Sequence, residues 1–163
     1  MSELTESTIR TTIRRAVSTD AEVIAANNRA MALETEGKAL DPATSLRGVA
    51  RALADPEKGF YLLAERAGQV VGQLMITFEW SDWRDGTFWW IQSVYVAPEA
   101  RRSGVYRALY EHLLVMARET PCICGIRLYV ESENTRAQRT YAALGMQRAR
   151  YDLFEVDFVF GSS

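Results

Sequence analysis

The chain has 163 residues, 48% hydrophobic and 25% charged, which suits one domain with a buried core and a polar skin. Lys and Arg total 19 against 21 Asp and Glu, a formal net charge of −2, so no broad positive field exists to hold nucleic acid or an anionic membrane. One histidine, His112, and two cysteines exclude a site of several histidines or a four-cysteine zinc site, so the expected chemistry uses no protein-bound metal.

The N-terminal stretch lacks the apolar run of a signal peptide, and no membrane-length apolar run follows, so a cytoplasmic location is expected. Residues 1–8 are expected to be a frayed tail ahead of a single domain over residues 9–160. A short strand is predicted within residues 9–17. Thr19 followed by Glu22 then resembles a capping box opening a helix whose face carries Val23, Ile24, Asn27, Ala30 and Met31. That helix should break near Glu34-Thr35-Glu36-Gly37, and a second helical piece is predicted over residues 45–54, making a helical flap.

The period then changes to two. Strands are predicted over residues 60–66 and 70–80, joined as a hairpin by Ala67-Gly68-Gln69, and a third over 88–96, stopped by Pro98. A helix follows over residues 104–119, with Val105, Leu109, His112, Leu113 and Met116 on its apolar face. Cys122 and Cys124, two apart, sit awkwardly for a disulfide and read as reduced packing residues. Alternation of Ile126, Leu128 and Val130 predicts another strand, residues 134–144 a helix ended by Gly145, and residues 147–151 and 153–160 two last strands. The expected fold class is α/β, a mixed and mostly antiparallel sheet flanked by helices.

The most informative segment runs from Val94, Tyr95 and Val96 through Pro98 into Arg101, Arg102, Ser103, Gly104, Val105 and Tyr106: a strand, a basic turn, then a helix. Such a junction can hold an anion, because the first backbone N–H groups of a helix point outward, the helix dipole adds positive charge, and glycine lets the backbone approach closely. A solvated Arg-Arg pair would look the same. The segment resembles the loop signature Arg/Gln-x-x-Gly-x-Gly/Ala of the GCN5-related N-acetyltransferase (GNAT) family, matching all but the last position, where Tyr106 stands. Asn134, Ala137, Tyr141, Leu144 and Gly145 resemble that family's later helical segment, although an N-cap and a packing face account for much of it.

The resemblance implies a GNAT-like domain with strands splayed at an acetyl-CoA site, the cofactor's pyrophosphate cradled by residues 101–106, and no metal. It implies that N–H groups on the strand carrying Ser93, Val94, Tyr95 and Val96 polarise the thioester carbonyl, and that the Tyr141 hydroxyl protonates the leaving thiolate. Gln92 stands where many members carry a glutamate base, and a neutral amide cannot accept the proton. Glu79 and Glu34 are the catalytic candidates for that role, by themselves or through water. Glu34, Glu36, Asp82, Trp83 and Gln92 are candidate acceptor-binding residues, with Trp83, Asp82 and Glu79 expected to form an aromatic and acidic pocket for a cationic amine. The acceptor is expected to be an amine of a small molecule or peptide. Pairing into a homodimer would use the apolar last strand or an exposed sheet edge. A rival reading is a non-catalytic acyl-CoA-binding or protein-interaction module of the same fold.

Overall fold

Alternating apolar residues in the first 128 positions pair into a five-stranded sheet in the order β1-β2-β3-β4-β5. The strands are Thr12–Arg15 (β1), Phe60–Arg66 (β2), Gln69–Ser81 (β3), Gly86–Val96 (β4) and Ile123–Leu128 (β5). The first four are antiparallel neighbours and β5 joins β4 in parallel, giving the mixed sheet expected. The computed structural model describes residues 10–160, so the tail expected over residues 1–8 lies outside the described residues. Among the described residues, those up to Tyr129 form one compact unit and those from Val130 a second.

In the first unit, helices cover both faces of the sheet. Ala21–Glu36 (α1) and Pro42–Ala54 (α2) bury Ile24, Ala25, Val49 and Ala52 against Tyr61 and Leu63. Leu62, Leu74 and Ile76 point the other way, where Val105–Glu119 (α3) lies. A Cβ on Gly72 would come 2.6 Å from Val105 Cγ1, so glycine there is what allows α3 to approach β3. Each fully buried Leu or Ile contributes about 1.5–3 kcal/mol, so this double-sided core holds the sheet in place.

Several local expectations change. No Thr19–Glu22 box starts α1; a 3-10 turn, Ser18–Asp20, precedes it, and Asp20 accepts the Val17 N–H at 2.7 Å while pairing with Arg14. The stronger carboxylate acceptor displaces the hydroxyl. α2 begins before Ser45, because Asp41 accepts the Thr44 N–H at 2.8 Å and Pro42 occupies the first turn. His112 is exposed; the buried face of α3 is Val105, Leu109, Tyr110, Leu113 and Ala117, a stripe turned away from it. Both cysteines are free thiols, but Cys122 is exposed in a turn at φ 65° and only Cys124 lies in β5, which starts and stops earlier than its alternation suggests.

The second unit holds Thr135–Ala143 (α4), with Asn134 Oδ1 accepting the Ala137 N–H at 3.0 Å. The two strands expected over residues 147–160 are not formed among the described residues. Phe154, Val156, Phe158 and Phe160 alternate as predicted but are exposed, Phe158 to 94%. Alternation supplies a face, whereas a strand also needs a neighbour for its ladder.

Candidate functional site

The phosphate-loop residues form a tight basic turn in front of α3. Pro98–Ala100 is a 3-10 turn, Arg102 is left-handed at φ 61°, and Gly104 at φ 82° sits at the N-cap of α3 without any side-chain cap. Left-handed backbone favours glycine, and a Cβ added there would meet nothing within 4 Å, so the space before the helix is open. Ser103 is clamped from below: its hydroxyl donates to the Ala100 carbonyl at 2.6 Å, while Arg66 donates to the Ser103 Oγ at 2.7 Å and to its carbonyl at 2.9 Å. Arg101 Nε donates to the Val96 carbonyl at 2.9 Å and its guanidinium pairs with Glu34 at 2.6 Å. Tyr106 stacks on Tyr110 with ring centroids 6.3 Å apart.

Before this turn, β4 is irregular. Gln73 pairs with Tyr95 and Met75 with Gln92, so Leu74 alone faces both Ser93 and Val94. Ser93 takes φ 48°, a sparsely populated conformation for a residue with a side chain, of order 1 kcal/mol or more in cost. The parallel ladder to β5 ends at Ile91 and Leu128, so β4 runs on through residues 92–96 with its β5-facing edge beyond the pairing. The β4–β5 ladder therefore stops just before the β3–β4 bulge at Ser93.

A cavity of about 340 Å³ reaches this bulge, bounded by α1, α2, β2, β3 and Ser93 of β4. Met31, Leu40, Val49 and Met75 give it apolar walls; Asn28, Thr44, Ser45, Tyr61 and Ser93 supply neutral polar groups. None of its lining residues is Asp, Glu, Lys or Arg, and none is Trp83, Asp82 or Glu79. Trp83 is instead 88% exposed, its N–H held by Asp82 Oδ1 at 2.9 Å.

The carboxylates singled out in the sequence are each engaged elsewhere. Glu79 accepts from Trp90 Nε1 at 2.8 Å and pairs with Arg127, which lies 3.7 Å over the Phe88 ring. Glu36 pairs with Lys38 at 2.9 Å and Glu34 with Arg101. Gln92 donates to Thr77 Oγ1 at 3.2 Å. By strand alternation and register, Met75, Thr77, Glu79, Trp90 and Gln92 share the sheet face that carries the cavity, with the Trp90 and Tyr129 rings tilted by 33° at 4.4 Å between centroids. In the second unit, burial pushes the Tyr141 hydroxyl above its ordinary pKa, so it stays protonated at neutral pH.

Asn28 and Tyr61, which line the cavity, and Gln73 and Asn27, which are hydrogen-bonded in series behind Asn28, are not among the site residues expected from sequence. A signal existed: two adjacent asparagines in mid-helix are poor helix formers, and a glutamine inside an apolar strand needs a partner.

Residues 28–146 match the sequence model of the Acetyltransferase (GNAT) family. A solved structure called a possible acetyltransferase from Clostridium difficile is 42% identical, with a TM-score of 0.85, covering 91% of this chain and 98% of that one. A mycothiol acetyltransferase of Gordonia bronchialis is 30% identical over 138 residues, 82% of this chain and 42% of its own length. N-alpha-acetyltransferase 40 of Saccharomyces cerevisiae is 44% identical over 66 residues, 37% of this chain and 23% of its own. The chain thus spans less than half the length of these two curated relatives.

Proposed function

The chain belongs to the Acetyltransferase (GNAT) family, and from that premise we propose that it transfers the acetyl group of acetyl-CoA to a primary amine of a small molecule or peptide. The observation that carries this reading is the uncapped start of α3 behind Gly104, open in front and flanked by Arg101 and Arg102. Backbone N–H groups and a helix dipole there suit a pyrophosphate, which fits residues 101–106 without a metal. Acetyl-CoA supplies the thioester when bound.

The protein's own groups then divide the work. The Ser93–Val94 bulge offers backbone N–H groups where an oxygen gaining negative charge would be held. The neutral cavity beside it takes the amine. Proton removal is assigned to Glu79 acting through water, since it shares a sheet face with Met75 and Gln92, while Glu34 is tied to the phosphate loop. Tyr141, kept protonated by burial, is assigned proton donation to the leaving sulfur.

Acetyl-CoA at a hundredfold over its dissociation constant should stabilise the protein by about 2.7 kcal/mol in thermal unfolding; no shift at millimolar concentration removes the reading. Thiol release with an amine panel separates catalysis from the non-catalytic acyl-CoA-binding module. For the acid, Tyr141→Phe should lower kcat while leaving acetyl-CoA affinity unchanged, and equal turnover in both proteins would end that role.

A further inference from the structure

Arg66 is the last residue of β2, 37 residues before Ser103 and outside the loop signature, yet its side chain ends in the loop. Its root is fixed. Arg66 pairs with Gln69 across the two-residue turn Ala67-Gly68, whose residues both take positive φ, at 49° and 76°, as turns that match the strand twist do. The antiparallel register Thr12↔Glu65 brings Thr11 alongside, and Arg66 Nε donates to the Thr11 hydroxyl oxygen at 2.7 Å. The other two nitrogens both reach Ser103, Nη1 its Oγ at 2.7 Å and Nη2 its carbonyl oxygen at 2.9 Å. All three guanidinium nitrogens are therefore committed to the protein, in a planar fork that arginine supplies and lysine does not.

The bond to the Ser103 carbonyl sets a direction. In a trans peptide unit the C=O and the following N–H point to opposite sides, and no peptide among the described residues is cis. Arg66 draws the Ser103 carbonyl toward the end of β2, so the Gly104 N–H is turned away from Arg66, at the open start of α3. The turn also needs an external hold. Arg102 is left-handed at φ 61°, a conformation that a residue with a side chain resists, and residues 101–104 are all exposed, so packing does not fix them.

We infer that Arg66 is a positioning residue for cofactor binding: without touching the ligand, it fixes the Ser103–Gly104 peptide plane so that the Gly104 N–H meets a phosphate oxygen. The inference rests on the acetyl-CoA reading for calling the loop a cofactor site. A loop already ordered before the ligand arrives loses less conformational freedom on binding, and affinity gains by that difference. Charge has a separate effect. An arginine acting as a point charge on the phosphate would be replaced by lysine at little loss, whereas a fork joining Thr11 to two oxygens of Ser103 would not.

The test is calorimetric binding of acetyl-CoA to the full chain, below the melting temperature that circular dichroism gives for each variant. Arg66→Gln and Arg66→Lys should both weaken binding by about tenfold. Thr11→Val, which removes the far anchor of the fork and nothing near the loop, should weaken it by about threefold in the wild-type background and not at all on top of Arg66→Gln, because its effect passes through Arg66. In amide NMR spectra, saturating acetyl-CoA should move the Gly104 proton downfield in the wild-type protein, and that shift should shrink in Arg66→Gln.

Wild-type affinity in a folded Arg66→Gln protein, full rescue by Arg66→Lys, a Thr11→Val loss that persists in the Arg66→Gln background, or a Gly104 proton that stays in place on binding would each overturn the inference. Thiol release with an amine panel keeps it apart from the function reading. Acetyl-CoA binding without transfer to any amine removes the enzymatic reading and leaves the clamp standing, whereas transfer by a protein whose affinity ignores residue 66 does the reverse. A wild-type protein that does not bind acetyl-CoA ends both.

Discussion

The proposed phosphate loop and the proposed acceptor cavity lie at opposite ends of residues 93–106, where the end of β4 runs through a 3-10 turn into α3, and they are built on contrary plans. The loop is contiguous, exposed and cationic, its backbone pinned by Arg66, Ser103 and Gly104 so that the start of α3 stays open. The cavity is assembled from five elements, lined without formal charge, and backed by the buried amide of Gln73 bonded to Asn28. A polyphosphate is the same in every reaction, and a short stretch of backbone can recognise it. An acceptor differs from enzyme to enzyme, so its site draws on side chains scattered through the fold.

The strongest way to break that division is to place a charge in the loop. Gly104→Asp puts a carboxylate at the N-cap and forces a left-handed φ of 82° on a residue with a Cβ. Acetyl-CoA affinity should fall by about a hundredfold, roughly 2.7 kcal/mol, by calorimetry. Amine binding should hold. If both ligands weaken together, the loop and the cavity are one site.

The reciprocal change belongs to the cavity. Gln73→Leu removes the amide between Asn27 and Asn28 and leaves two polar side chains facing an apolar group. We expect a loss of about 2–3 kcal/mol in urea unfolding with acetyl-CoA affinity unchanged. A loss under 0.5 kcal/mol would mean that the amide chain is not what holds α1 against β3.

How α1 is anchored at its start can be read by pH. Arg14 donates to both oxygens of the largely buried Asp20, at 2.7 and 2.8 Å, and also bonds Glu65. The Arg14 hydrogen bonds hold the Asp20 carboxyl below its ordinary value of 3.8. A depressed folded pKa adds stability that is complete above the unfolded value and drains away as pH falls through the folded one. Asp20→Asn should cost about 1–2 kcal/mol at pH 7, with the gap to wild type closing below about pH 4. A pH-independent gap would assign the loss to packing.

The same contrast explains what could be read in the sequence. Hairpin β2–β3, β4 and α3 carry their periodicity within one segment, and the loop signature is six consecutive residues, so both were legible. Residues 147–160 carry a strand pattern with no ladder partner among the described residues, and pattern alone does not supply one. His112 sat at an apolar spacing yet is exposed, because the stripe that α3 buries was set by Tyr110 and Ala117, which the spacing passed over. The cavity was hidden for a different reason. Asn28, Tyr61 and Gln73 lie on three elements, and only the tertiary fold bonds Gln73 to Asn28 and sets Asn28 beside Tyr61 on the cavity wall.

The smallest expected effect concerns the Glu34–Arg101 ion pair, which ties the helical flap to the loop. Glu34 and Arg101 are both substantially exposed, and such pairs contribute on the order of 0.2–1 kcal/mol, so Glu34→Gln should change stability little. Its consequence should appear in ligand binding. Arg101 is held between a carboxylate and the Val96 carbonyl, and a phosphate arriving at the loop competes with Glu34 for the same guanidinium. Removing that competitor should tighten acetyl-CoA binding by about twofold to threefold at low ionic strength, an advantage that fades as salt screens both interactions. A fall in kcat with cofactor affinity unchanged would instead return Glu34 to the role of base.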